Sequence, residues 1–127
     1  MATGHEDLRV WQDAIHLVEA SYRIASRLPP IERYGLASQI RRASVSIPAN
    51  IAEGRGRLHG GDYVRHLSIA RGSLRELETL LEIAQRLRYA TADDLNPLLE
   101  QSDHLGRMLT CLVTAVRRRD RQGYGKE

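Results

Sequence analysis

The sequence predicts an all-α protein, built as an antiparallel up-down bundle of four long helices. Apolar residues recur at alternating steps of three and four along most of the chain, which is the spacing of one helix face. Strand signals are missing, because the chain has no phenylalanine, only 5% aromatic residues and little alternation of apolar with polar residues. Sustained three–four spacing is typical of helices that pack about 20° from antiparallel. The length of 127 residues is that of one domain, so we expect a single domain over residues 1–127.

The first helix is predicted over about residues 8–28. The sequence LPP ends it, because proline disfavours helix in the residue that precedes it. Trp11 lies on the apolar stripe and is expected to pack in the core or against another subunit. That stripe consists of Trp11, Ala14 or Ile15, Val18, Tyr22 and Ala25.

The second helix is predicted over about residues 32–54. Pro48 cannot donate to the carbonyl of Ser44, so the helix is expected to kink near Pro48. Continuing the apolar stripe places Asn50 at the core or its edge, and Gly54 is expected to end the helix as a left-handed cap. The stripe itself consists of Leu36, Ile40, Ala43 and Ile47.

The third and fourth helices carry the most regular patterns, and are predicted over about residues 62–88 and 92–119. Thr91 with Asp94 suits a capping box for the fourth helix, whereas Asn96 offers an alternative cap for a helix that begins at Pro97. Residues 120–127 are expected to form a frayed basic tail. The third helix repeats Tyr63, Leu67, Ala70, Leu74, Leu77, Leu81 and Ala84, and the fourth repeats Leu95, Leu98, Ser102, Leu105, Leu109, Leu112 and Val116.

Composition excludes several classes of protein. No apolar run approaches the roughly 18 residues of a membrane span. The first ten residues do not resemble a signal peptide, so a cytoplasmic location is expected. Cys111 is the single cysteine, which excludes an internal disulfide and a cysteine-rich zinc site, and it is expected to be a small core residue.

Nearly all basic residues of this chain are arginines, since Lys126 is the only lysine among 19 basic residues. The formal net charge is +3. In an up-down bundle, the second helix ends, the third begins and the fourth ends at the same end of the molecule. Arginine binds phosphate bidentately, so this end is a candidate site for RNA or DNA. Two alternatives stay open, a merely solvated surface and a GC-rich genome that favours arginine codons. The candidate residues are Arg55, Arg57, Arg65, Arg117, Arg118, Arg119 and Arg121.

The middle of the second helix predicts a close helix crossing with a buried polar network. Antiparallel pairing is expected to bring Ala43 opposite Gly72 and Ser73, where glycine would allow close backbone approach. Glu76 is then expected near Arg41 or Arg42. Asn50 is expected at the edge of the apolar core, where a side-chain amide costs stability unless it is hydrogen-bonded. Its hydrogen bonds can fix the register of the helices.

Two segments carry a resemblance to a known family. Residues from Gly35 to Gly54 read GL-x-x-Q-I-R-R-A-x-x-S-I-x-x-N-I-A-E-G, and residues 70–78 read ARGSLRELE. They closely resemble the bacterial four-helix-bundle proteins first met as reading frames in intervening sequences of large-subunit ribosomal RNA genes, and the resemblance covers about residues 8–118. It implies a homopentamer with no cofactor and no established enzymatic activity. The structural signature comprises Arg41, Arg42, Ala43, Pro48, Asn50, Glu53, Gly54, Gly72, Ser73 and Glu76.

A more distantly similar bundle is the accessory protein of diversity-generating retroelements, which binds nucleic acid and a reverse transcriptase. By that analogy, RNA or DNA and a reverse transcriptase are candidate partners. The alternative is a structural or adaptor module without nucleic-acid binding, whose polar signature serves subunit packing.

The sequence argues against an enzyme. A di-iron bundle needs Glu-x-x-His on two helices, and no glutamate here has histidine three residues later. The loop GRGRLHGG lacks the lysine and the preceding strand of a phosphate-binding loop. We therefore expect neither catalysis nor a bound metal or cofactor.

Overall fold

The computed structural model of the chain describes residues 4–57 and 59–125. These residues form four α-helices and one short 3-10 turn, Pro30–Glu32, between the first two. The helices are α1 (Gly4–Arg27), α2 (Leu36–Arg55), α3 (Gly60–Arg86) and α4 (Ala92–Gly125).

Each helix packs mainly on two neighbours, in the order α1–α2–α3–α4 and back to α1. The short connections make neighbouring helices antiparallel, so the bundle is square in section with one continuous apolar core. This confirms the predicted all-α up-down bundle. No helix among the described residues has the length and apolar character needed to cross a membrane.

The cores of α2, α3 and α4 agree with the predicted apolar stripes. Every predicted stripe residue of α3 and α4 is buried, including the hydroxyl residue Ser102, which donates to Glu78 Oε2 at 2.6 Å. The predicted stripe of α2 is buried as well, from Leu36 to Ile47. Leucine and alanine repeated at three–four spacing are sufficient to identify the buried face of these three helices.

The predicted stripe of α1 is only partly correct: Ala14 and Ala25 are buried, whereas Trp11 and Tyr22 are 37% and 44% exposed. The core face is centred about one position earlier than predicted. Helix α1 carries two neighbouring apolar stripes, and the polar residues Asp7 and Ser21 within the buried one conceal it in the sequence. The buried stripe consists of Asp7, Val10, Ala14, Leu17, Ser21 and Ile24.

Three helix boundaries differ from the prediction by four residues or more, and the first is that of α1, which begins at Gly4 rather than near residue 8. Helix α2 begins at Leu36 rather than near residue 32, because the 3-10 turn comes first and Glu32 Oε1 accepts a hydrogen bond from the Leu36 N–H at 3.0 Å. Helix α4 continues to Gly125, so the tail predicted to fray from residue 120 is helical up to that point. Residues 126–127 of that predicted tail lie outside the described residues.

Helix α2 includes Pro48 and ends later than predicted. Pro48 is buried inside a helix that runs unbroken to Arg55, and the kink expected from its missing N–H stays a prediction. Gly54 is not a left-handed cap, since the helix ends at Gly56 with a φ of −77°. Gly54 is buried within the helix and lies directly against α3.

One residue in the turn between α3 and α4 has a left-handed backbone conformation, which the sequence does not predict. Arg88 has a φ of 66°, Tyr89 N–H bonds the Ala84 carbonyl at 2.9 Å, and Arg88 N–H bonds the Gln85 carbonyl at 2.9 Å. This pair of bonds is the Schellman motif that usually requires glycine at the position of Arg88.

The predicted capping box begins α4. Thr91 N–H donates to Asp94 Oδ2, and Asp94 N–H donates to Thr91 Oγ1, both at 3.1 Å. The bond from the Thr91 backbone holds the pKa of the Asp94 carboxyl below its ordinary value, with smaller support from the Thr91 hydroxyl and the Arg27 charge. Pro97 is therefore an interior residue of α4 rather than its start.

Replacing Arg88 by glycine is expected to stabilise the protein by about 1 kcal/mol, because a side chain in the left-handed region is strained by about that amount. The midpoint of urea unfolding measures the change. Gln85→Gly is the matched control, since it removes an exposed side chain from the helical interior and should lower stability by about 0.5–1 kcal/mol. A fall in stability with Arg88→Gly would contradict the assignment.

Candidate nucleic-acid interface

The structure brings the seven predicted arginines to one end of the bundle. Arg55 and Arg57 lie at the end of α2, Arg65 in the first turns of α3, and the remaining four in the last turns of α4. The α3 and α4 ends touch, because the Asp120 carboxylate lies directly against Gly60. We call this surface the arginine end: Arg55, Arg57, Arg65, Arg117, Arg118, Arg119 and Arg121.

A buried carboxylate that the sequence analysis missed lies beneath the arginine end. Asp7 of α1 is 0% exposed, and its Oδ2 accepts the Tyr63 hydroxyl at 2.8 Å. The same oxygen lies 3.5 Å from Nε of Arg55. One side chain thereby links α1, α2 and α3, and the half-exposed Arg55 guanidinium supplies the positive charge that offsets the burial of this carboxylate. The signal in the sequence is its spacing, three residues before Val10 on the buried stripe.

The ring of Tyr63 forms the apolar side of this cluster, and its hydroxyl donates the hydrogen bond to Asp7. Burial, the bond to Asp7 and the Asp7 charge together raise the pKa of the Tyr63 hydroxyl far above its ordinary value. The positive charges of Arg55 and Arg119 act in the opposite direction and are weaker. Tyr63 is therefore a protonated core residue, as its place on the α3 stripe predicts, and its ring is not presented for base stacking.

Four of the seven arginines have acidic neighbours. Besides the Arg55 pair with Asp7, Arg57 lies 2.9 Å from Glu53, Arg65 lies 4.0 Å from Asp62, and Arg119 lies 3.5 Å from Asp120. Except for the buried Asp7, these carboxylates are largely solvated, so the pairs are weak and a phosphate can compete for the same guanidinium. They still reduce the net positive charge of the arginine end.

The remaining three arginines are the strongest candidates for phosphate contact. Arg117, Arg118 and Arg121 are exposed on the last turns of α4, and none has an acidic partner among the described residues. Spacings of three and four place Arg117 or Arg118 beside Arg121 on one side of the helix. Three adjacent guanidinium groups without counter-charges form a patch suited to a polyanion.

A hydrogen-bonded chain connects the family-like signature to the arginine end. Ser73 and Ser46 share a bond of 2.8 Å between their hydroxyls, and Asn50 Nδ2 donates to the Ser46 carbonyl at 2.8 Å and to its hydroxyl at 3.1 Å. Asn50 Oδ1 accepts from Nδ1 of His66 at 3.1 Å, and His66 Nε2 then accepts from Arg65 at 3.3 Å. This is a partly buried polar network around Asn50, where the sequence predicts a buried one, and His66 and Arg65 are partners that the sequence did not identify.

The pairing of α2 with α3 is shifted by about one turn from the predicted register. Ser73 lies opposite Ser46 rather than Ala43, and Ala43 is a core residue, 4% exposed. Gly72 is exposed, and a Cβ added there would meet nothing within 4 Å, so the expected close approach to Ala43 is wrong.

The predicted ion pair of Glu76 does not form among the described residues. Glu76 and Arg42 are both exposed, and Arg41 instead donates to the Arg33 carbonyl at 3.3 Å. The prediction for Cys111 is also wrong, because Cys111 is exposed on α4 rather than buried in the core.

Gly54 is required by the packing beneath the arginine end. A Cβ at this position would lie 2.8 Å from Cβ of His66 and 2.9 Å from Cδ1 of Tyr63, closer than carbon atoms pack. Any side chain here would push α2 away from α3, at the level where the hydrogen-bonded chain and the Asp7 cluster meet.

Gly54→Ala is expected to destabilise the protein by about 1–3 kcal/mol, because the two ring-bearing neighbours cannot move without disturbing the core. Gly106→Ala is the control: the added carbon would meet Leu74 at an ordinary 3.5 Å, so this helical glycine should gain about 0.5–1 kcal/mol on substitution. Thermal unfolding of the two variants should therefore shift in opposite directions, and equal shifts would refute the packing argument.

Tyr63 should make the stability of the protein fall as the pH rises above about 10. In that range an unfolded tyrosine releases its proton, whereas folded Tyr63 keeps its own, since its pKa is raised. The stability contributed by Tyr63 is thus fully present below pH about 10 and is lost above it. Arginine does not titrate there and Lys126 is the single lysine, so the background decline comes mainly from other tyrosines, including Tyr89, whose pKa is raised by its hydrogen bond to Glu32.

Urea unfolding at a series of alkaline pH values tests this. Tyr63→Phe should be less stable at neutral pH by about 1–3 kcal/mol, because buried Asp7 loses a donor, yet should show a shallower alkaline decline. Tyr34→Phe, which alters a side chain that is 88% exposed, should retain the parent decline. The same slope in all three proteins would rule out a protonated Tyr63.

Comparisons with known proteins support this fold. A crystal structure of a protein of unknown function from the S23 ribosomal protein family of Bacteroides thetaiotaomicron VPI-5482 superposes with a TM-score of 0.80, covering 86% of this chain and 98% of that one. The two sequences are 23% identical, so the similarity shows a shared fold alone. No curated protein sequence matches this chain significantly. A profile of the 23S rRNA-intervening sequence proteins matches residues 6–111, and the chain therefore belongs to the 23S rRNA-intervening sequence protein family.

Proposed function

We propose that the protein is a non-enzymatic homo-oligomer that binds the phosphates of RNA or DNA through its arginine end. The observation that supports this most directly is the group of three exposed arginines on the last turns of α4, Arg117, Arg118 and Arg121, without acidic partners among the described residues. Arg57 and Arg65 extend the patch, with solvated carboxylates that a phosphate can replace.

Arg55 and Arg119 have a different role in this proposal. Arg55 is 3.5 Å from the buried Asp7 carboxylate, and Arg119 acts electrostatically on Tyr63, so both neutralise the interior of the arginine end. Their side chains support the site, whereas the other five arginines of the arginine end contact the ligand.

The contacts are made to the backbone of the nucleic acid rather than to its bases. Tyr63 is buried and hydrogen-bonded to Asp7, and the side chain of Tyr124 lies outside the described residues. Trp11 is 37% exposed in a groove that Arg55 also lines, so base stacking in the described part of this end is limited to that one ring. Binding is then strongly salt-dependent and weakly selective for sequence.

Self-assembly is supported by the second apolar stripe of α1. Leu8, Trp11 and Tyr22 are each between 37% and 44% exposed, and no charged residue interrupts the stripe they form with Ile15 and Val18. The family resemblance implies five copies. In a cyclic ring, rotation repeats the arginine end around one face, so a long polyanion meets several weak sites at once and binds far more tightly than to one copy.

A structural or adaptor role is the second candidate, and the same exposed stripe favours it. In that case the ring assembles but has no affinity for nucleic acid, and the arginine end is a solvated surface. In both cases the protein catalyses no reaction, needs no cofactor and acts in the cytoplasm. A reverse transcriptase as a partner stays a prediction, made by distant resemblance.

Replacing Arg117, Arg118 and Arg121 together by alanine is expected to weaken binding by at least tenfold. A fluorescently labelled RNA duplex serves as the probe, since the family description refers to ribosomal RNA, and single-stranded RNA and duplex DNA are compared with it. In anisotropy titrations at several salt concentrations, the log–log salt slope should decrease by about 1 for each phosphate that the variant no longer neutralises.

The matched control removes the same charge from the opposite end. Arg33, Arg86 and Arg88 are exposed there, and their triple alanine variant should retain the affinity and the salt slope of the parent. Equal losses in the two triple variants would indicate non-specific charge attraction. An oligomer with no affinity for any of the three probes would instead favour the adaptor role.

A further inference from the structure

We propose that the groove between α1 and α2 at the arginine end holds one unpaired base of an RNA or DNA strand, stacked on the ring of Trp11. This inference rests on the proposed binding of nucleic acid, and it adds a single base contact to the phosphate contacts. We call the site the base groove and define it by Leu8 and Trp11 of α1 with Ile51, Ala52 and Arg55 of α2.

The base groove exposes the only indole ring of the chain. Trp11 is the single tryptophan of the sequence, and it is 37% exposed because the core of the bundle is built from the other stripe of α1. Leu8, three residues earlier on the same side of the helix, is 44% exposed. Large apolar side chains that stay at the surface and line a groove are typical of a binding site.

The shape of the groove suits a flat ring. Ile51 and Ala52 of α2 lie on the side opposite Trp11, and the small side chain of Ala52 leaves the indole ring accessible. The groove has a volume of about 450 Å³, and small-molecule pockets measure roughly 300–1,000 Å³. Gly56 also borders the groove where α2 ends, and it has no side chain that could cover this side. A planar base therefore has room to lie against the ring of Trp11.

The charge beside the groove favours a nucleotide over an uncharged ligand. Arg55 lines the groove, and its side chain remains 43% exposed although its Nε lies 3.5 Å from Asp7. Arg57 follows at the end of α2, and a phosphate can replace its solvated partner Glu53. An apolar groove with guanidinium groups at its edge matches a flat base joined to a phosphate. A purely apolar partner, such as the same stripe of a second copy, would cover Arg55 and supply no anion.

Stacking on Trp11 requires an unpaired base. In a duplex, both faces of each base are covered by its neighbours, and extruding one base is unfavourable. Single strands, loops and bulges present bases whose faces are free. Because each copy has one such ring, the groove gives a preference for unpaired over duplex nucleic acid and little preference for sequence.

The base groove uses only the part of the α1 stripe that lies at the arginine end. Leu8 and Trp11 line the groove together with Arg55, whereas Tyr22 is about 17 Å further along α1 than Trp11. The rest of the stripe therefore stays available for contact between copies while the groove is open.

The fluorescence of the single tryptophan tests the stacking directly. The probes are a short single-stranded oligoadenylate, its duplex with the complementary strand, and a stable abasic strand of the same length. Oligoadenylate should quench the fluorescence of Trp11, because a stacked base contacts the indole ring, whereas the abasic strand and the duplex should bind without quenching. Oligodeoxyadenylate should quench as well, since the ring contacts the base and not the sugar. At equal salt, oligoadenylate should bind about tenfold more tightly than the abasic strand.

Substitutions separate the base contact from the phosphate contacts. Trp11→Ala should weaken the binding of oligoadenylate about tenfold. It should leave the affinity for the abasic strand and the log–log salt slope unchanged, because no phosphate contact is lost. Trp11→Phe should restore most of the affinity, since a smaller ring still stacks. The matched control is Tyr34→Ala, which removes an aromatic ring that is 88% exposed between α1 and α2, and it should retain the parent affinity for every probe.

The outcomes distinguish the base groove from nucleic-acid binding in general. No affinity for any probe would refute the proposed function and the base groove together. Equal affinity for oligoadenylate and the abasic strand, without quenching, would refute the groove alone and leave the phosphate contacts standing. A change in oligomeric mass with Trp11→Ala, measured by light scattering, would assign the ring to a contact between copies and overturn the proposal. Circular dichroism checks folding. If Trp11→Ala unfolds, Ala52→Leu fills the groove while keeping Trp11, and it should cause the same loss of base-dependent affinity.

Discussion

The buried carboxylate of Asp7 is the constraint on which the arginine end depends. Asp7 is fully buried, and a charge buried against an apolar core is unfavourable without a counter-charge or a hydrogen-bond donor. One oxygen of Asp7 lies within reach of both kinds of group, the Tyr63 hydroxyl and the Arg55 guanidinium. The carboxylate itself tolerates burial because both groups stabilise its charge. Replacing Tyr63 or Arg55 therefore alters the surroundings of the buried Asp7 carboxylate rather than the exposed arginines.

This arrangement divides the arginines by function. Arg55 neutralises the interior, whereas Arg117, Arg118 and Arg121 extend into solvent from a helix that continues to Gly125. The length of α4 is therefore significant, since its last turns carry Arg121 beyond the core. Charge composition alone could not distinguish the arginine that pairs with buried Asp7 from those without an acidic partner among the described residues, because both lie in similar arginine-rich segments.

Much of the fold could be predicted from the sequence, and the exceptions have physical reasons. Leucines at three–four spacing identify the buried faces of α3 and α4, where no other apolar stripe competes. Helix α1 presents two apolar stripes side by side, and the one with the larger residues, including Trp11, is the outer one. Periodicity measures amphipathicity, and it cannot say whether an apolar face is covered by the same chain or by another.

The local errors have similar origins. Arg88 adopts the left-handed conformation because the surrounding Schellman bonds over-determine it, and an arginine there gives no signal in the sequence. The predicted register of α2 against α3 is displaced by a turn because apolar spacing fixes which face is buried but not how far one helix slides along the other. The contact of Gly54 with Tyr63 and His66 fixes that sliding, and only the structure reveals it.

The polar signature around Asn50 therefore makes its hydrogen bonds within one chain. Asn50 uses both amide hydrogens on Ser46 and its carbonyl on His66, so its main hydrogen-bonding groups are satisfied within one chain. A side chain satisfied in this way has no need of a partner from a neighbouring copy, which argues against the expectation that the signature serves subunit packing. Its hydrogen-bonded chain fixes α2 against α3 and ends at Arg65, beside the arginine end. The hydrogen-bonded contact of α2 with α3 that orients the basic surface is thus internal to the bundle.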